Sequence, residues 1–209
     1  MHILVLGATG GTGRQVVEQA LGHGHEVVAF VRDPTRVDVD DPRLTVVTGD
    51  VTDAAAVQAA VEGCDAVIST LGSRGERPVH VYSDGIANAI RAMTARGVSR
   101  LVVMSAAGAG ARGAPDVPIG QRAFMMLPSM RAIYDDLERM EGDVMLSDLE
   151  WTIVRPAGLT DGPFTGIYRV VEGPVVPKGS QVSRADVAAL LLKCAEGELF
   201  ARKAVAVAY

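Results

Sequence analysis

Short apolar runs alternate with amphipathic stretches along this chain, and the two periods set an order of elements before any chemistry is considered. Residues 3–6 are continuously apolar, as a strand buried on both faces requires. Val16, Val17, Ala20 and Leu21 then recur at helical spacing. The same alternation predicts strands over Glu26–Val31, Leu44–Thr48, Ala66–Ser69, Arg100–Met104, 151–155 and 204–207. Thr52 or Asp53 caps a helix ending near Gly63, and Ile86, Ile90 and Met93 mark a helix that stops at Gly97. A loop over 106–119 leads to a long helix from Ser129, with Met130, Ile133, Leu137, Met140 and Val144 on one face. Ser183 and Asp186 form a capping-box pattern ahead of Val187, Leu190, Leu191 and Cys194. Strand following helix in this order is the pattern of a doubly wound α/β fold with a parallel sheet, a single domain over residues 1–209 with a small C-terminal excursion on the substrate side.

The first strand runs into Gly7, Gly10 and Gly13, and the first helix follows at once. Gly7 is expected to make the turn, Gly10 to let the backbone approach a phosphate, and Gly13 to let helix pack on strand. The segment Gly7, Ala8, Thr9, Gly10, Gly11, Thr12, Gly13 is therefore the candidate pyrophosphate site of a dinucleotide. A P-loop is excluded, because no Gly-Lys-Ser/Thr follows.

Ligands of such sheets lie beyond the carboxyl ends of the strands, so the residues there are informative. After the second strand, where an NAD site usually has a carboxylate, stands Arg32, with Arg36 nearby. A guanidinium suits a 2′-phosphate, which favours NADPH; Asp33 would restore an NAD-type carboxylate if the register moved by one. Asp50 is placed either to accept from an adenine amino group, with Val51 against the ring, or to cap the next helix. Leu71, Gly72, Ser73 and Arg74 follow the fourth strand, where the backbone is expected near the cofactor ribose and Arg74 near a phosphate or an anionic substrate. Ser105 and Pro156 end the fifth and sixth strands and should flank the nicotinamide.

Composition narrows the function classes. A net charge of −5 with no basic run argues against a nucleic-acid surface. There is no signal peptide and no apolar run of bilayer length, so neither secretion nor a membrane is expected. Cys64 and Cys194, in different predicted helical regions without C-x-x-C spacing, suit reduced thiols in a cytoplasm. The histidines complete no metal-ligand set, and Glu141, Asp143 and Asp148 read as a solvated face.

GATGGTG, FVRDP, TGDVTD, DAVISTLGSRG, VVMSA and WTIVRPAGLTDGPFTG occur in that order along the chain. In these motifs the sequence resembles atypical short-chain dehydrogenases/reductases of the NAD(P)H-binding NmrA-like group, nearest the biliverdin reductase B/flavin reductase branch. The resemblance implies the cofactor contacts already placed on Gly7 to Gly13, Arg32, Asp50, Val51, Leu71 to Arg74, Ser105 and Pro156. One departure is Ala106, where the flavin reductase branch often carries a second hydroxyl.

The catalytic pattern departs further. Short-chain dehydrogenases usually pair a tyrosine acid with a lysine four residues on, which lowers the phenol pKa. Tyr134 is followed at that spacing by Glu138 and Tyr82 by Ile86; no Tyr-x-x-x-Lys exists in the chain. Ser105 and Tyr134 are the candidate catalytic residues, but alcohol–ketone chemistry through the usual acid is disfavoured. A small planar acceptor such as a flavin, quinone or linear tetrapyrrole fits better, because it delocalises an arriving charge. Six of the eight methionines fall between Met104 and Met145, and with Phe124 and Phe164 they could form a soft wall around such a ligand. The competing class is a non-catalytic NAD(P)H sensor of NmrA type.

Overall fold

The computed structural model describes residues 1–73, 79–111, 117–197 and 199–209. Its first half forms β1 (His2–Leu6), α1 (Gly11–Gly22), β2 (Glu26–Val31), β3 (Leu44–Thr48), α2 (Ala54–Val61), β4 (Ala66–Ser69), α3 (Val81–Arg96) and β5 (Arg100–Met104). The second half forms α4 (Ile119–Met125), α5 (Pro128–Leu146), β6 (Glu150–Pro156), β7 (Gly158–Thr160), β8 (Arg169–Glu172), β9 (Gln181–Ser183), α6 (Arg184–Glu196) and β10 (Lys203–Ala208).

Among the described residues, eight strands join one sheet in the order β3-β2-β1-β4-β5-β6-β10-β8, and β7 pairs with β9 apart from it. Every pairing in the large sheet is parallel except β10 with the edge strand β8. This is the doubly wound α/β fold expected from the alternating pattern. Its strand order reverses between β1 and β4, so the crevice above that pair is where a ligand belongs.

Period-two alternation sorts the strand residues onto two cores. Leu4, Leu6, Val67, Leu101, Val103 and Ile153 face the layer of α2, α3 and α5. Ile3, Val5, Ile68, Val102 and Val154 face the layer of α1 and α6. Strands buried on both faces explain the continuous apolar runs.

Helix ends follow their sequence signals in part. Asp53, not Asp50 or Thr52, caps α2, accepting from the backbone N–H groups of Ala55 and Ala56. Gly97, at φ 72°, ends α3 in the left-handed conformation. The start of α3 has no cap of its own; buried Asp136 of α5 accepts from Tyr82 N at 2.9 Å and from the Ser83 hydroxyl. Ser183 caps α6, taking the N–H of Asp186 at 3.1 Å.

Four expectations need correction. The segment expected to run as a loop to the long helix contains α4, whose single buried side chain, Met125, gives no helical stripe. Strands β7, β8 and β9 are three or four residues long, too short for a visible alternation. Cys64 lies in the turn after α2 rather than in a helix; both cysteines are buried, and burial pushes their thiols up to about 11. Glu141 is not on a solvated face. It is 2% exposed and forms a two-pronged ion pair with buried Arg155, at 3.0 and 2.6 Å.

Asp186 anchors the C-terminal excursion. Its carboxylate accepts from the N–H groups of Thr165 (2.9 Å) and Gly166 (2.8 Å) and from the hydroxyls of Thr165 (2.8 Å), Ser183 (3.1 Å) and Tyr209 (2.7 Å). Burial opposes its ionisation, but these donors outweigh burial and hold the pKa below the ordinary 3.8. A depressed folded-state pKa means stabilisation that is present above the unfolded value and lost as pH falls through the folded one. Asp186→Asn should therefore melt below wild type at pH 7, with the gap in Tm narrowing as both are titrated below pH ~4. Melts that stay a constant distance apart across that range would show that the carboxylate charge contributes nothing.

Candidate functional site

The glycine turn is built by exclusion. Gly7 sits at φ +82°, and a Cβ there would come 2.7 Å from the Thr70 carbonyl oxygen. A Cβ on Gly13 would come 2.2 Å from the carbonyl oxygen of Gly7 and 2.7 Å from Thr70 Oγ1. Gly10 is less confined: its Cβ would find Gly7 O at 3.3 Å. It precedes α1 as an extended residue with no side chain of its own to cap the first-turn N–H groups.

Gly7, Thr9, Gly10, Gly11, Thr12, Arg32, Asp50, Val51, Leu71, Gly72 and Ser73 line one cleft of about 320 Å³, together with Arg36, Met104, Leu159 and Arg184. Ala8 and Gly13 do not line it. Ala8 is packed into the α1 core, and Gly13 lies against the Gly7 and Thr70 backbone beneath it. The expectation for Arg74 falls outside the described residues.

Local hydrogen bonds fix the cleft walls. Asp33 caps a short 3-10 turn over Pro34–Arg36, accepting from the backbone N–H and hydroxyl of Thr35, and it does not line the cleft, whereas exposed Arg32 does. Asp50 accepts from Thr52 N at 2.9 Å and Thr52 Oγ1 at 2.7 Å. These two donors, with the Arg32 charge, hold it below the usual carboxylate value against burial. Gly85 of α3 lets Val51 and Leu71 close in, since a Cβ there would meet Leu71 Cδ1 at 2.9 Å and Val51 Cγ2 at 3.0 Å. Ser73 N donates to the Tyr82 hydroxyl at 2.9 Å, so the loop after β4 is tied to α3, whose start Asp136 holds. Sequence reasoning missed Tyr82 and Asp136, because no spacing rule joins residues on three separate elements.

Ser105, Pro156 and Tyr134 are brought together elsewhere, in a neighbouring cavity of about 930 Å³. Its walls include Ala106, Ala107, Phe124, Met130, Ile133, Val175 and Val176, and it shares Leu159 and Arg184 with the first cleft. The Ser105 hydroxyl is buried with no hydrogen-bond partner among the described residues. Tyr134 donates its phenolic proton to the Ala107 carbonyl at 3.1 Å, and burial raises its pKa. Of the expected soft wall, Met130 and Phe124 line this cavity and Met104 the cleft. Met125 and Met140 are core, and Phe164 is exposed and lines neither.

At the opposite end of the sheet, His23 Nδ1 and His25 Nε2 lie 2.9 and 2.8 Å from the same Glu196 oxygen. Glu196 is a third member that the sequence reading of these histidines lacked. The contacts are hydrogen bonds joining α1 and β2 to the end of α6, and despite burial they lower the Glu196 pKa.

A glycine turn at a strand-order switch point, leading into a helix start that has no cap residue, has the form of a Rossmann crevice. The chain belongs to the NAD(P)H-binding family, whose model matches residues 7–198. It is 35% identical over 173 residues to an uncharacterized chloroplastic protein of Arabidopsis thaliana, covering 78% of this chain and 61% of that one. It is 32% identical over 185 residues to a 3-diazoavenalumate denitrifying reductase of Streptomyces, covering 81% and 59%. The chain thus spans less than two thirds of the length of these relatives. Among solved structures, it superposes on the anaerobilin reductase ChuY of Escherichia coli O157:H7 with a TM-score of 0.81 at 26% identity, covering 100% and 97% of the two chains. No helix among the described residues is long and apolar enough to cross a membrane.

The unequal confinement of the glycines gives a paired test. Gly10→Val should fold with little loss of stability yet abolish cofactor binding measured by calorimetry. Gly13→Ala, whose Cβ meets unyielding backbone, should instead lower Tm markedly. Retained affinity in Gly10→Val would place the pyrophosphate elsewhere.

Proposed function

We propose that the protein is an NADPH-dependent oxidoreductase that passes hydride to a small planar conjugated acceptor such as a flavin, quinone or linear tetrapyrrole, as in the biliverdin reductase B/flavin reductase branch. The observation that carries this reading is the meeting of two cavities. The glycine-turn cleft and the larger, mostly apolar cavity share Leu159 and Arg184, so an acceptor in the second would lie against whatever the first holds. A volume of about 930 Å³ suits a drug-sized or cofactor-sized planar ligand.

The residues present fit the cofactor. Gly10 leaves room for a pyrophosphate where a side chain would intrude, and Arg32 with Arg36 offers a forked cationic wall for a 2′-phosphate. The unpartnered Ser105 hydroxyl, at the end of β5, is available to a carboxamide or to the acceptor. When bound, NADPH supplies a hydride. The chain's own task is then positioning: the cleft walls orient one partner and the apolar cavity stacks the other. Tyr134 is a positioning residue here, its proton committed to Ala107, and solvent supplies the acceptor's proton. The cavity beside the cleft supports this reading over a purely sensory role.

The decisive experiment is NADPH oxidation by the purified protein against FMN, FAD, quinones and biliverdin, with reduction of at least one expected and none overturning the proposal. Hydrogen bonds to charged groups contribute about 1.5–3 kcal/mol, so Arg32→Ala should weaken NADPH roughly 10- to 100-fold and leave NADH nearly unchanged. Equal weakening of both would remove Arg32 from the 2′-phosphate. Tyr134→Phe should lower kcat by less than about tenfold, since loss of a true general acid typically costs about 10²–10⁴-fold. A collapse of kcat at unchanged NADPH affinity would make the tyrosine the acid.

A further inference from the structure

Three arginines line the cleft, and they divide its length. Arg32 and Arg36 stand at the end near Asp50. Arg184 stands where the cleft opens into the second cavity, and among that cavity's described lining residues it is the one cation. It is the first residue of α6, and its backbone is pinned by the neighbouring Asp186 network. Its side chain runs back over the start of α1. A Cβ on Gly11 would come 2.8 Å from Arg184 Cδ and 2.9 Å from Nε, so glycine at 11, the third glycine of the turn, leaves room for this arginine. The guanidinium ends on Asp161 Oδ1 at 2.6 Å. Asp161 is 91% exposed, and an ion pair with so wet a partner holds weakly. Arg184 thus has a fixed root, a stem laid against the phosphate-binding turn, and a head on a replaceable partner.

We propose that Arg184 is an oxyanion-binding residue at the junction of the two cavities, and that it leaves Asp161 to grip a phosphate or carboxylate oxygen there. Asp161 is then its internal competitor, occupying the guanidinium until the ligand's oxyanion displaces it. The inference rests on the dinucleotide reading of the cleft. The oxyanion has two sources, the phosphates of the cofactor or an acidic group on the acceptor, and they are separable by experiment.

The test compares wild type, Arg184→Gln, Arg184→Lys and Asp161→Asn. Calorimetry gives the Kd for NADPH, and fluorescence quenching gives the affinities of the NADPH-loaded protein for FMN and riboflavin, which differ by one phosphate. Arg184→Gln should weaken NADPH, or FMN relative to riboflavin, by roughly tenfold or more, with Arg184→Lys between it and wild type. Asp161→Asn should tighten the same quantity by a few-fold. The quantity that moves names the source, and if neither flavin binds, NADPH alone decides. A brace that merely ties α6 to the loop around Asp161 would make both substitutions act in the same direction. That result, or no change in either quantity while NADPH binds normally, overturns this inference and leaves the proposed function standing. Failure of wild type to bind NADPH would overturn the cofactor reading and this inference together.

Discussion

The approach of α1 to the ends of β1 and β4 is the constraint on which the rest of the site depends. The Gly7 carbonyl occupies the space a Gly13 side chain would need, and Thr70 donates its hydroxyl proton to Leu6 O at 3.1 Å. Helix and strands therefore meet closely, with the Thr70 hydroxyl bridging the Leu6 and Gly7 carbonyls beneath the helix start. From that contact follow a sharp turn, a helix N-terminus without a cap residue and a crevice lined from β2 on one side and β5 on the other, the form of a Rossmann phosphate site.

Buried carboxylates extend that order outward. Asp136 on α5 caps α3, and α3 in turn holds the loop after β4 through Tyr82. Glu141 on the same helix clamps Arg155 of β6. Asp186 on α6 gathers the segment around Thr165 and the C-terminal tyrosine. Asp136 and Asp186 are each satisfied by several donors and Glu141 by the fork of Arg155, which is the condition under which a buried charge is tolerable. Each also joins elements that pack on the cleft or the cavity, so the helices that cover the sheet fix the shape of the site as well.

On the proposed function, a division of labour between the two cavities makes a Tyr-Lys pair unnecessary. The phenol that a dehydrogenase would aim at its substrate is turned here onto the Ala107 carbonyl, where it braces the segment after β5. An apolar cavity beside the cleft proposed to hold the cofactor suits acceptors that need stacking and exclusion more than a proton donor. Arginine enters at the two ends of the cleft, where negative charge on a ligand would concentrate.

The alternation of strand and helix and the glycine turn were legible in the sequence because both follow from local rules. Apolar runs, helical spacing and three glycines at fixed intervals each act within a few residues, and the doubly wound topology leaves little choice once they alternate. The cleft residues after β2, β3 and β4 followed from the same rule about strand ends. The second cavity was partly legible, through Ser105, Pro156 and Tyr134. What tertiary structure alone decided was pairing at long range: Glu141 with Arg155, Asp136 with the start of α3, Arg184 with Gly11, and Glu196 with two histidines. A charged residue on a helix carries the same one-dimensional signal whether it meets water or a buried partner, because burial belongs to the packed layers and not to the residue's neighbours in the chain. The short β7, β8 and β9 were hidden for the same reason, their strand character being supplied by the partners they meet.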